Sequence, residues 1–316
     1  MKVDTAEHAA RVERPRASDR RFFIAGCQRS GTTLMRLILE SHTDIACFDE
    51  QYSYEILAGR RAPPRPASEV ADFEIVGFKI PVWSEQLLQA RLHWNEYAYL
   101  YGSATIPNFY DREPLIFMLR SPLDTVSSML KLSVENDSWL HRVAVPVVHA
   151  MSEGARLSDE FEADLKFALA CSDPEVAIGA LYWKIKSSAA LSYLDTGLPV
   201  HVVAYERFVA NPATFLPGIL QHIGVRWDDS VLKHHQIPHG EVIDGKAIGG
   251  TDPTRPIDTR SIGHSAIRLS PCQVGLIERI AGDLARTLSA CAVSVKGDSE
   301  RPQSGLKRRA FRPLTG

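Results

Sequence analysis

The sequence predicts an α/β fold with a central parallel sheet flanked by helices. Four short apolar runs of strand length alternate with helix-length segments along the chain: Phe22–Ala25, Ile75–Ile80, Leu115–Leu119 and Val200–Ala204. Continuous apolar runs are typical of strands that are buried on both faces. Strands separated by helices favour a parallel sheet that is covered on both sides.

Three dipeptides mark helix starts: Asp173-Pro174, Asn211-Pro212 and Ser270-Pro271. Each places a side chain that can cap a helix directly before a proline, and proline is favoured in the first turn. We therefore predict three helices that begin at these prolines.

The length and composition predict one large domain. The chain has 316 residues, of which 45% are hydrophobic, and this is enough to bury a sizeable core. The segments 1–20 and 295–316 are polar and rich in arginine, so they are predicted to be flexible tails around a domain at 21–294.

Charge and residue usage exclude several classes of protein. A formal net charge of −2 gives no basic field for nucleic acid, so a bound anion must be held by local groups. Five scattered cysteines without a Cys-x-x-Cys pair argue against a disulfide framework or a zinc site. The densest histidine group, His234, His235 and His239, has no carboxylate or cysteine spaced to complete a ligand set, so no metal is expected.

Without a signal-peptide or membrane-spanning run, we expect a cytoplasmic protein that has no membrane partner.

The strongest local motif follows the first predicted strand, at Gly26–Thr33. A strand, a tight turn and a helix start in this order direct backbone N–H groups and a helix dipole at one point, which is an anion site. Gly26 and Gly31 have the spacing of a nucleotide-phosphate loop, but Thr32 stands where that loop has its lysine, and the positive charge is at Arg29. The motif therefore favours an anion other than ATP or GTP.

A second candidate anion site follows the strand Leu115–Leu119. Arg120 leaves the end of this strand, and Ser128 lies in the first turns of the next predicted helix. This placement allows a guanidinium and a hydroxyl group to meet on one phosphate.

The two motifs resemble those of a known family. The sequence QRSGTT resembles the 5′-phosphosulfate loop of sulfotransferases that use 3′-phosphoadenosine-5′-phosphosulfate (PAPS), and LRSPLDTVSS resembles their 3′-phosphate motif. Weaker likenesses at His201–Phe208 and Gly249–Ser270 extend the resemblance over about residues 21–290. The run from Arg29 to Glu50 is most similar to tyrosylprotein sulfotransferases and their bacterial relatives.

The resemblance implies a P-loop-like sulfotransferase fold and a role for each motif residue. PAPS would be the donor, its product PAP (3′-phosphoadenosine 5′-phosphate) would leave, and no metal would be needed. The residues implied for the 5′-phosphosulfate are Arg29, Ser30, Gly31, Thr32 and Thr33. Those implied for the 3′-phosphate and the rest of the nucleotide are Arg120, Ser128, Tyr205, Arg255 and Arg260.

Three residues are implied in catalysis. Glu50 is the candidate base that removes the proton of the acceptor hydroxyl, and its neighbour Asp49 is the alternative. Lys79 and Arg29 would stabilise negative charge on the transferred group.

The acceptor and the partners remain open at this point. Because the sequence shows no secretory or membrane anchor, we expect a small hydroxyl compound such as a natural product or a carbohydrate, with protein tyrosine as the alternative. A P-loop kinase is disfavoured by Thr32, and a PAP-binding protein without catalysis would not require Glu50. Homodimer formation is left open.

Overall fold

Five parallel strands form the centre of the computed structural model. They are β1 (Arg21–Gly26), β2 (Ile45–Phe48), β3 (Ile75–Lys79), β4 (Leu115–Leu119) and β5 (Val200–Ala204). Their order in the sheet is β2-β3-β1-β4-β5, and every neighbouring pair is parallel. The predicted fold class is confirmed, and the four predicted strands differ from the observed ones by at most one residue at either end.

The structure describes residues 20–50, 52–53, 73–80, 113–135, 140, 144, 148, 159–195, 199–239, 242–243, 246–247 and 250–293. The predicted tails lie outside these residues, apart from Arg20 at the boundary. Within the described residues, no helix is both long and apolar enough to span a membrane.

Helices connect the strands and extend beyond the sheet. They are α1 (Thr32–Glu40), α2 (Pro122–Glu135), α3 (Asp159–Ala170), α4 (Pro174–Asp195), α5 (Tyr205–Ala210), α6 (Pro212–Ile223), α7 (Ser265–Arg268) and α8 (Pro271–Val293). Two 3₁₀ turns, Asp229–Leu232 and His234–Gln236, follow α6, and a short antiparallel pair, β6 (Val242–Ile243) and β7 (Lys246–Ala247), follows them.

The three helix starts predicted from the dipeptides are confirmed. Asp173 caps α4, because its Oδ1 accepts a hydrogen bond of 3.3 Å from the Val176 amide. Ser270 and Gln273 cap α8 reciprocally: Ser270 Oγ accepts from the Gln273 amide, and Gln273 Oε1 accepts from the Ser270 amide at 2.9 Å. The side chain of Asn211 makes no such bond, so the predicted cap is wrong there although α6 begins where expected.

The sheet separates two apolar cores. On one face, α2, α4 and α8 pack against residues such as Phe117, with Trp183 and Tyr193 fully buried. On the other face, α1, α5 and α6 bury Met35 and Ile219. Since both faces are covered, polar side chains that reach a ligand must come from the edge where the parallel strands end.

Candidate functional site

The turn between β1 and α1 has a backbone that requires glycine. Gly26 and Gly31 have positive φ angles of 138° and 93°, and Arg29 has a φ of 71°. A Cβ atom at Gly26 would lie 2.4 Å from the carbonyl oxygen of Met118 on the neighbouring strand. The turn is closed by a hydrogen bond of 3.1 Å from the Ser30 amide to the Cys27 carbonyl.

The N-terminus of α1 suits a phosphate or sulfate group. Gly31 is the N-cap residue, and no side chain caps this helix. Ser30 is 1% exposed, and its hydroxyl has no hydrogen-bond partner among the described residues. First-turn amides and a buried hydroxyl without a partner fit an anion that supplies acceptor oxygens.

The structure brings the two predicted anion motifs together. Arg29 donates from Nε to the Ser128 hydroxyl at 3.2 Å. Arg120 donates from Nη1 to the Arg29 carbonyl at 2.9 Å, and its Nη2 donates to the Ser261 carbonyl. The β1–α1 loop and the end of β4 therefore form one continuous polar surface.

Tyr205 lies between these two motifs. It begins α5 directly after β5 and is 5% exposed. The Arg120 guanidinium carbon is 4.9 Å from the centre of its ring, and a Cβ atom at Gly31 would meet that ring at 2.5 Å. The ring thus packs against both the phosphate loop and the arginine that follows β4.

A carboxylate–lysine cluster lies at the ends of β2 and β3. Lys79 Nζ is 2.6 Å from Asp49 Oδ1 and 3.5 Å from Glu50 Oε2. The side chains of Lys79 and Asp49 are 2% and 0% exposed, whereas that of Glu50 is 26% exposed. Asp49 is therefore occupied by Lys79, while Glu50 has the carboxylate that reaches solvent.

The surroundings of Glu50 favour a base. Burial raises the pKa of this carboxyl group, and the negative charge of Asp49 raises it further. Lys79 and Lys186 oppose the rise, and the net result is a raised pKa. A carboxylate with a raised pKa holds a proton more strongly and is a better general base.

The segment before α7 is tied to α2 by Asp124. This carboxylate accepts hydrogen bonds from the Gly263 amide at 2.8 Å and from the Ser265 amide at 3.0 Å. Burial alone would raise the pKa of Asp124, but the backbone hydrogen bonds outweigh it and the pKa is lowered. The ionised carboxylate keeps this segment next to Arg120.

Arg255 and Arg260, the two arginines predicted near the 3′-phosphate, both pair with Asp258. The Nε atoms of Arg255 and Arg260 are 2.9 Å and 2.7 Å from Asp258 Oδ2. Their side chains are 35% and 68% exposed. Hydrogen bonding to Asp258 raises the pKa of Arg255.

Comparison with known proteins shows a similarity to one family. Residues 21–100, which contain β1, the phosphate loop, α1 and the carboxylate–lysine cluster, match the model of the sulfotransferase family. The similarity to this family lies in the part of the chain that holds the candidate site.

Two relatives are similar to the chain over a longer stretch. The chain is 25% identical over 229 residues to protein-tyrosine sulfotransferase 1 of Danio rerio and 24% identical over 234 residues to protein-tyrosine sulfotransferase 2 of Gallus gallus. Each match covers 68% of this chain, which spans about half the length of these relatives, at 56% and 54%.

A solved structure shows the same fold. The sulfotransferase domain from the curacin biosynthetic pathway superposes with a TM-score of 0.50 at 14% identity, and the match covers 84% of this chain and 96% of that domain. The sulfotransferase fold predicted from the motifs is thereby confirmed.

Three residues of α4 act on the candidate site and were not predicted. Tyr182 and Trp183 donate hydrogen bonds to Gln28 and to the Arg120 carbonyl, and Lys186 is fully buried with a charge that acts on Glu50. The sequence did contain a signal for Lys186. Lys184 and Lys186 lie two positions apart in an apolar helix, so they point in nearly opposite directions and one must face inwards.

His239, which follows the two 3₁₀ turns, bonds within the protein. His239 Nδ1 lies 2.8 Å from Glu40 Oε2, and its Nε2 lies 2.9 Å from the His234 carbonyl. Among the described residues, no group of three or more His, Cys, Asp or Glu side chains is placed to hold a metal ion.

Proposed function

We propose that this protein transfers a sulfuryl group from PAPS to the hydroxyl group of an acceptor. The observation that carries the proposal is the meeting of two anion-binding segments, with Arg29 Nε 3.2 Å from Ser128 Oγ, at the sheet edge that also holds the Lys79–Glu50 pair. PAPS has an anionic group at both the 5′ and the 3′ position, so two adjoining anion sites suit it. A simple phosphate site would require only one of them.

The side chains that are present fit this donor. The 5′-phosphosulfate would occupy the N-terminus of α1, where the buried Ser30 hydroxyl lacks a partner among the described residues. The residues proposed there are Arg29, Ser30, Gly31, Thr32 and Thr33. Those proposed for the 3′-phosphate and nucleoside are Arg120, Ser128, Tyr205 and Arg255, with Arg260 as an outer contact.

Glu50 is the proposed base. PAPS supplies an activated sulfuryl group, whose bond to the leaving PAP oxygen breaks as the bond between sulfur and the acceptor oxygen forms. The acceptor hydroxyl proton passes to Glu50, whose raised pKa suits this role, and then to solvent. Asp49 is a poorer candidate because it is buried and 2.6 Å from Lys79.

Positive side chains balance the charge that moves during transfer. Arg29 lies in the phosphate loop, and Asp49 and Glu50 hold Lys79 at the same edge of the sheet. Fixed cations stabilise negative charge on the leaving oxygen and the sulfuryl oxygens. We therefore propose a reaction that does not require a metal ion.

The test is thermal unfolding of the protein with PAP, ATP or GTP, each with and without magnesium. A ligand that binds the native state raises the midpoint of unfolding. We expect PAP alone to raise it, and Arg120→Ala to abolish the rise while Arg286→Ala, an exposed control on α8, retains it. Stabilisation by ATP with magnesium and not by PAP would instead indicate a kinase.

The acceptor class requires a separate screen. We propose a small hydroxyl compound, such as a natural product or a carbohydrate, as the first class. Protein tyrosine is the second candidate, favoured by the 25% identity to protein-tyrosine sulfotransferase 1. Sulfation of carbohydrates, phenols and tyrosine peptides from PAPS, with Glu50→Gln as background, distinguishes these classes.

A further inference from the structure

Two consecutive residues of α4 contact the two anion motifs separately. The Tyr182 hydroxyl donates to Gln28 Oε1 at 2.6 Å, and Gln28 precedes Arg29 in the phosphate loop. The Trp183 indole donates from Nε1 to the Arg120 carbonyl at 3.0 Å. Both aromatic side chains are buried, at 1% and 0% exposure.

Their helix is a rigid support. The 22 residues of α4 pack against α2, α3 and α8 in the core, and Tyr182 and Trp183 belong to the buried cluster on that face of the sheet. Side chains on neighbouring positions of a packed helix keep a fixed separation, because the helix backbone and their rotamers are both locked. Their hydrogen-bond partners, Gln28 and the Arg120 carbonyl, are therefore held at a fixed distance from each other.

We propose that Tyr182 and Trp183 set the spacing between the two anion sites and so select nucleotides that carry a phosphate group at both the 3′ and the 5′ position. The inference rests on the proposed function, since it assumes that one ligand occupies both motifs. Tyr182 acts through Gln28, and Trp183 acts through the backbone of Arg120. Both are positioning residues, because each is buried and acts through another residue.

The consequence is a difference between ligands. A ligand with two phosphates gains affinity because the second contact becomes intramolecular, and this gain depends on the two sites being correctly spaced. A nucleotide with one phosphate uses one site, and its affinity does not depend on the spacing. Loss of a positioning contact should therefore lower the affinity for PAP and leave the affinity for single-phosphate nucleotides unchanged.

The experiment measures by calorimetry the dissociation constants of PAP, adenosine 5′-phosphate and adenosine 3′-phosphate. The variants are Tyr182→Phe, which removes only the hydroxyl, and Gln28→Leu, which removes its acceptor. Tyr193→Phe is the control on the same helix, because Tyr193 packs edge-on against Phe117 with ring centres 6.1 Å apart. Trp183→Phe tests the second contact.

We expect Tyr182→Phe and Gln28→Leu each to lower the affinity for PAP by about five- to tenfold, which is the effect of losing one hydrogen bond. The dissociation constants of both single-phosphate nucleotides should change less than twofold. The variant that combines Tyr182→Phe with Gln28→Leu should bind PAP no more weakly than either single variant, because both changes remove the same contact. Tyr193→Phe should bind all three ligands as the wild type does. Trp183→Phe should show the same selective loss.

Two results would overturn the inference. One is an equal loss for all three ligands, which indicates a general structural role, and the other is unchanged PAP affinity in Tyr182→Phe and Trp183→Phe. In both cases the wild type still binds PAP and the proposed function stands. Failure of the wild type to bind PAP would remove the proposed function and this inference with it.

Discussion

Lys79 and Asp49 form a buried ion pair, with Nζ and Oδ1 2.6 Å apart and side-chain exposures of 2% and 0%. A buried charge is tolerated only when it is paired, so neither residue is free to change its charge alone. Glu50 lies beside this pair, 3.5 Å from Lys79 and partly exposed. The two adjacent carboxylates thus have different roles, one fixing the lysine and one facing the surface.

Glu50→Gln and Asp49→Asn should consequently fail in different ways. Glu50→Gln removes the proposed base, so kcat should fall by about 10²–10⁴-fold while PAP affinity is kept. Asp49→Asn leaves the Lys79 charge buried beside a neutral amide, and the free energy of unfolding should fall by about 3 kcal/mol or more.

Steady-state rates and denaturant unfolding of both variants separate these effects. If Asp49→Asn were as stable as the wild type but inactive, and Glu50→Gln were active, Asp49 would be the base.

The pH dependence of turnover should report the pKa of Glu50. The base must be ionised, so the rate should rise with pH through the pKa of Glu50, which burial places above the ordinary value of 4.5. Lys186 lowers this pKa, so removing its charge in Lys186→Met should raise the pKa and move the acidic limb of kcat to higher pH.

Lys184→Met is the matched control for that shift. Lys184 lies on the same helix but pairs with Asp164 at 2.8 Å. The acidic limb of the kcat–pH profile of Lys184→Met should coincide with that of the wild type. Equal limbs in the two lysine variants would show that Lys186 does not act on Glu50.

Most of the fold was predictable because burial leaves a direct pattern in the sequence. Strands covered on both faces are continuous apolar runs, and Phe22–Ala25 and Leu115–Leu119 show this clearly. β2 was missed because its four residues, Ile45–Phe48, are too few to distinguish a strand from the end of α1. Local capping was less predictable, since Asn211 precedes a helix without capping it.

The candidate site was predictable where a motif is contiguous in sequence. Gly26–Thr33 carries its own turn geometry. The meeting of Arg120 and Ser128 on one phosphate stays a prediction, and in the structure Ser128 bonds to Arg29. The contacts of Tyr182 and Asp124 were not predictable, because their partners Gln28 and Gly263 lie 154 and 139 residues away. Such contacts depend on how α4 and α2 pack, which no local pattern encodes.

Asp124→Ala should loosen the segment that precedes α7. Two backbone amides would lose a charged acceptor, so the free energy of unfolding should fall by about 1.5–3 kcal/mol, and PAP should bind more weakly. Because the pKa of Asp124 is lowered below 3.8 in the folded state, its contribution is present above pH 3.8 and is lost as pH falls through the lowered value.

Denaturant unfolding at pH 7 and across the acid range checks this expectation. Asp283→Asn, at a fully exposed carboxylate on α8, is the control and should change stability little. An Asp124→Ala protein as stable as the control would mean that the two amides find other acceptors.

Gly31→Ala should separate backbone strain from steric overlap. Both Gly31 and Gly250 have positive φ angles, of 93° and 74°, so alanine is strained by about 1–2 kcal/mol at either position. Of the two, only Gly31 would bring the new Cβ atom into overlap with a neighbour, at 2.5 Å from the Tyr205 ring, whereas no described residue lies within 4 Å of such an atom at Gly250. The Tyr205 ring would have to move, and with it the Arg120 guanidinium that lies 4.9 Å from its centre.

We therefore expect Gly31→Ala to be less stable than Gly250→Ala and to lose stabilisation by PAP, which Gly250→Ala should retain. Thermal unfolding of both variants with and without PAP measures the two effects together. Equal stability and equal PAP response in the two proteins would mean that the Tyr205 ring yields freely, and that its packing against Gly31 does not shape the anion site.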